Sequence, residues 1–100
     1  MGNRIDFIRS VQGIHNPNVI VTFFDHFVAL KQIVDDSGVV TVTNTMDNSI
    51  EFSIKFSSVD AKRQALSVIN SSNGVLVVYG RPMTINVEDV SKREINVIIV

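Results

Sequence analysis

The sequence predicts an α+β domain, an antiparallel sheet with two helices on one face. Three stretches carry that reading. Residues 50–56 alternate Ile50, Phe52, Ile54 and Phe56 with Glu51, Ser53 and Lys55, the period of a strand with one face buried. Residues 59–70 set Ala61, Ala65, Leu66 and Ile69 along one side of a helix. Ser57 or Ser58 caps that helix, and Asp60 complements its dipole in the first turn. Residues 83–87 alternate again, Met83, Ile85 and Val87 against Thr84 and Asn86.

The elements before these follow in order. Residues 3–12 space Ile5, Ile8 and Val11 by three, which predicts a short amphipathic helix ended by Gly13, with a strand through Ile5, Phe7 and Arg9 as the alternative. Asn16, Pro17 and Asn18 form a turn. The β-branched and aromatic residues 19–24 predict a first strand, with Val19, Val21 and Phe23 inward and Ile20 and Thr22 outward. Asp25 is placed to cap a helix over 26–35, whose buried stripe is Phe27, Leu30, Ile33 and Val34 and whose stop is Gly38. Residues 39–45 predict a second strand, Val40 and Val42 inward, Thr41 and Thr43 outward. A short polar connection, 46–49, joins it to strand 50–56 as a hairpin.

After the second helix, 71–74 is a loop and 75–79 an apolar run. Gly80, Arg81 and Pro82 turn the chain into the strand 83–87. The charged stretch 88–94 reads as a connection or one helical turn, and 95–100 as an extra C-terminal strand. The domain then divides into an N-terminal extension (1–17), a core (18–87) and a C-terminal addition (88–100).

The totals bound the function. One hundred residues make one small domain. With 45% hydrophobic and 19% charged residues the chain has the composition of a folded protein. A net charge of −1 lacks the basic excess that phosphate binding draws on. Absence of cysteine excludes disulfides and thiolate metal sites. No apolar run reaches the roughly 18 residues of a membrane span, and Arg4, Asp6 and Arg9 interrupt any signal-peptide core. A soluble, intracellular protein is expected.

The order strand-helix-strand-strand-helix-strand is ferredoxin-like. Over 49–87 the pattern resembles an RNA-recognition motif (RRM). Asp60-Ala61 through Ala65, Leu66 and Ile69 matches that family's second helix, and Gly80-Arg81-Pro82-Met83 to Val87 its last strand. The resemblance implies a fold and points to strands one and three as the RNA-binding surface. There the family's two outward aromatics of strand three fall on Glu51 and Ser53, its basic position on Ser49, and the outward positions of strand one on Ile20 and Thr22. Each stacked base is worth roughly 1–3 kcal/mol, so three missing aromatics remove about 3–9 kcal/mol. The family's usual RNA surface is therefore not expected here. Val11-Gln12-Gly13-Ile14 is similar to the phosphate loop of acylphosphatases, but His15, Asn16, Pro17 and Asn18 stand where that loop continues to its arginine. No enzyme activity, cofactor or metal is expected. His15 and His26 lack ligand spacing, and Asp35-Asp36 reads as a helix end.

The expected function is a non-catalytic RRM-like module acting through protein–protein contacts, as a homo-oligomer or with a protein partner. Its candidate interface is the apolar C-terminal strand, Ile95, Val97, Ile98, Ile99 and Val100, because a free apolar strand must be paired, either as a fifth strand of its own sheet or across to another subunit. An alternative is single-stranded RNA or DNA binding through Lys62 with Arg63 and Lys92 with Arg93, the polar face of Thr22, Ser53, Lys55 and Thr84 contacting bases. A third is a small-molecule regulatory module of the ACT type, which has the same element order.

Overall fold

The computed structural model describes residues 17–46 and 49–100. The elements are α1 (Pro17–His26), α2 (Val28–Ser37), β1 (Gly38–Met46), β2 (Ser49–Phe56), α3 (Val59–Asn70), β3 (Val75–Val78), β4 (Arg81–Ser91) and β5 (Glu94–Ile99). The predicted helix over 3–12, the acylphosphatase-like segment, His15 and the centre of the 46–49 connection lie outside the described residues. The five strands form an antiparallel sheet in the order β1-β2-β5-β4-β3. The fold is α+β, as the sequence predicts, but the element order is not the ferredoxin-like one.

The first departure is at residues 19–24, which are helical rather than a strand. Val19, Ile20, Phe23, Phe24 and Phe27 are all buried, and their spacing is that of one helix face. Helical burial prevails over the β preference of the individual residues. Phe23 is the anchor. Its ring meets Phe24 at 5.1 Å, Phe27 at 5.0 Å and Phe52 of β2 at 5.4 Å. Asp25 is therefore not a cap. α2 begins after Phe27, which takes non-helical dihedrals and gives no side-chain cap bond. The Phe27 amide donates to the Phe23 carbonyl, and the Lys31 amide to that of Phe27, so the two helices join without a loop.

α2 buries Leu30 and Val34, with Ile33 packed at the core margin. It passes directly into β1 at Gly38, whose extended backbone still donates to the Val34 carbonyl. A Cβ there would stand 3.1 Å from the Val34 Cα, so the absence of a side chain permits the abrupt exit. In β1, Val40 is buried and Val42 half-buried, and Thr41 and Thr43 face solvent. A bulge at Thr43 shifts the pairing with β2 between Val42 and Asn44, and the Thr43 hydroxyl donates to the Glu51 carbonyl.

β2 and α3 follow the sequence pattern closely. Ile50, Phe52, Ile54 and Phe56 point into the core. The Ser58 hydroxyl accepts from the Ala61 amide as the N-cap of α3, and Ala61, Ala65 and Ile69 are buried.

β3 and β4 form a hairpin whose turn is Tyr79-Gly80, not Gly80-Arg81-Pro82. Val78 pairs with Arg81, and both turn residues have positive φ, 52° at Tyr79 and 76° at Gly80. Two successive left-handed residues suit the twist of a two-residue hairpin. Pro82 is tolerated inside β4 because the pairing with β5 reaches only to Val100, opposite Thr84.

β4 continues to Ser91, so residues 88–91 are strand and only Lys92 and Arg93 turn. β5 is not an addition at the edge. It lies in the middle, paired with β2 on one side and β4 on the other. Ile95, Val97 and Ile99 are fully buried and hold the two halves of the sheet together. A near-continuous apolar run is what a central strand requires. β2 and β4 therefore run parallel to each other on either side of β5, and the chain between them carries α3 and β3.

Candidate functional site

The core faces of the strands meet the helices. The opposite face of the sheet can be laid out by register. Across β1, β2, β5 and β4 one row holds Thr41, Ser53, Asn96 and Glu88, and the next holds Asn44, Glu51, Ile98 and Asn86. At the centre, the Asn96 amide donates to Glu51 at 2.6 Å and to Glu88 at 3.1 Å. Among the described residues this face carries Glu51, Glu88 and Glu94 against Lys55, and no aromatic side chain. Phe23, Phe24, Phe27, Phe52 and Phe56 are all in the core.

The predicted nucleic-acid contacts separate. Ser53, Lys55 and Thr84 lie on that open face, whereas Thr22 is half-buried on α1. Lys62, Arg63 and Lys92 come together. The Arg93 carbonyl accepts from the Phe56 amide at 2.6 Å, which ties the β4–β5 turn to the end of β2 and the start of α3. Lys62 is drawn inward, its ammonium bonded to the Asp89 carboxylate and the Ser91 carbonyl. The result is a groove of about 290 Å³ lined by Val59, Lys62, Arg63, Leu66 and Lys92. Arg63 is exposed, with Asp60 at 3.6 Å one turn away. The two basic pairs are distant in sequence, and only the turn geometry joins them.

Of the predicted C-terminal interface, Ile95, Val97 and Ile99 face the core. Ile98 is half-buried on the open face, and Val100 is exposed beside Thr84. The open face also presents apolar groups at its β3 side, where Val75 stands opposite Thr84. Among the described residues β3 is an edge strand, paired only with β4 in the sheet. Leu76 and Val78 point inward, but Val75 and Val77 face solvent, and Tyr79 at the turn is 83% exposed. β3 carries no charge and no proline to blunt its edge. Sequence reading missed this corner because the unbroken apolar run 75–79 hides which valines stay outside.

His26 ends α1, its ring edge-on to Phe27 at 4.8 Å. Asp36 lines a second groove, of about 240 Å³, with Gly38, Lys55 and Ser57. Among the described residues, no three His, Asp or Glu side chains cluster as metal ligands, and no helix is long and apolar enough to cross a membrane. No family model matches the chain, and neither a curated protein nor a solved structure is significantly similar to it.

Proposed function

We propose that this chain is a non-catalytic, RRM-like interaction module that works through protein–protein contacts, and that it self-associates through β3. The observation that carries the reading is Tyr79. A bulky residue at positive φ is strained, and here no burial compensates, since the ring is 83% exposed. It stands at the tip of an uncharged edge strand whose Val75 and Val77 also face solvent. Exposed tyrosine beside aliphatic side chains is the composition of an interface centre. A second copy is the natural occupant, because an uncharged edge can pair antiparallel with itself about a two-fold axis. Four residues make a short contact, so the association is concentration-dependent. Light-scattering mass at low and high concentration tests it. The mass should rise with concentration and stay at one chain when Val77→Lys places a charge on the edge. A single-chain mass throughout would overturn it.

A second reading, single-stranded nucleic-acid binding, is supported by the meeting of Lys62, Arg63 and Lys92 in one groove. It predicts binding that falls steeply with salt. Against it stand the aromatic-free open face and the carboxylates Glu51, Glu88 and Glu94 upon it.

A further inference from the structure

We infer that the groove between α3 and the β4–β5 turn is a docking site for an acidic peptide segment carrying an aliphatic side chain, a contact separate from the β3 edge. Val59, Lys62, Arg63 and Leu66 follow one another at i, i+3, i+4 and i+7, so they form a single face of α3. It is not the face that enters the core, which is carried by Ala61, Ala65 and Ile69. Val59 is 40% exposed at the first helical position, and Leu66 is half-buried beside it. These two give the groove an apolar floor.

The walls are cationic. Lys62 supplies structure rather than free charge, because Asp89 and the Ser91 carbonyl hold its ammonium. That bond fixes the distance between α3 and the β4 bulge, where pairing shifts between Asp89 and Ser91. Beyond it, Lys92 and Arg93 project from the turn without an acidic partner among the described residues, and Arg63 keeps only the exposed contact to Asp60. An occupant must therefore offer carboxylates to Arg63 and Lys92 and an aliphatic group to Val59 and Leu66. From Val59 to Leu66 α3 advances about 10 Å, the reach of roughly three extended residues. A short stretch with one leucine between acidic residues meets these demands.

Nucleic acid meets them less well. The groove has no aromatic surface for a base. Three cations are few for a phosphate track, which gains its affinity from many neutralised phosphates.

The test is fluorescence anisotropy of the full chain with a labelled peptide in which one leucine is flanked by glutamates and aspartates. The expected result is saturable binding, weakened about tenfold by the pair Arg63→Glu and Lys92→Glu and several-fold by Val59→Ser or by serine in place of the peptide's leucine. All three positions are exposed, so the variants should keep the wild-type melting curve. Amide shifts in two-dimensional NMR should concentrate at 59–66 and 91–93. No peptide binding, or binding indifferent to Arg63→Glu and Lys92→Glu, overturns the inference. So does an oligouridine that binds through the same two residues at least as tightly as the peptide. These readouts are made on dilute protein and on the Val77→Lys variant, so they stand apart from self-association.

Discussion

The ammonium of Lys62 on α3 is bonded to the carboxylate of Asp89 on β4, and this pair couples the helix layer to the bulge before the β4–β5 turn. Lys62 is nearly buried and Asp89 mostly exposed, so the two are not equivalent. Lys62→Ala strips a charge-assisted bond and the partner of the Ser91 carbonyl, and should cost about 1–3 kcal/mol. Asp89→Ala leaves Lys62 one acceptor and should cost less. Urea denaturation of both variants checks the asymmetry; equal losses would contradict it.

The position of β5 makes a sharper demand. Ile95, Val97 and Ile99 are fully buried between β2 and β4. Ile95→Ala should cost about 2–5 kcal/mol. Removal of residues 94–100 should abolish cooperative unfolding, because it parts the sheet into two hairpins. A truncated chain that still melts cooperatively would mean that the sheet does not need its central strand.

Asn96 holds Glu51 and Glu88 through the two hydrogens of one amide. Asn96→Asp would replace that donor with a third carboxyl, whose ionisation the neighbouring charges oppose. The new carboxyl therefore has a higher pKa folded than unfolded. Its protonated form, favoured in the fold, supports stability at low pH, and that support is lost as pH rises through the folded pKa. Melting temperatures across pH 4–8 (roughly the range where carboxyls so perturbed titrate) should show the variant's deficit widening toward neutral pH.

At the β3–β4 turn, Tyr79→Asn should stabilise the monomer by about 0.5–1 kcal/mol, since asparagine accepts left-handed dihedrals more readily. The same change should weaken self-association. Opposite effects on stability and on mass are what a residue retained for contact predicts; a loss in both would assign Tyr79 a folding role.

Gly38→Ala tests the α2–β1 junction. Its Cβ meets backbone at 3.1 Å, so the helix exit must shift, at about 1–3 kcal/mol. Thermal unfolding reads this directly.

Much of the fold is legible in the sequence where one physical signal acts alone. The alternation over Ile50 to Phe56 and the Ser58 cap before Ala61 and Ala65 give β2 and α3 nearly to the residue. Where two signals compete, the reading fails. Residues Val19 to Phe24 combine β-branched composition with the helical spacing of 19, 20, 23, 24 and 27, and the spacing decides, because one helix face buries all five residues and brings Phe23 to Phe52. The apolar run from Ile95 is equally consistent with a free edge and a central strand, and only long-range pairing distinguishes them. The basic residues of the groove are visible in the chain, but their convergence depends on the bond from the Phe56 amide to the Arg93 carbonyl, which no local pattern announces.

Hydrogen–deuterium exchange of the wild-type chain at low and high concentration tests the central claim most directly. If β3 pairs with a second copy, the amides of Val75 and Val77, which the register points away from β4, gain protection as concentration rises, while those of Leu76 and Val78, turned toward β4, and of β5, bonded within the sheet, do not change. Protection at β3 that is the same at both concentrations would contradict self-association through that edge.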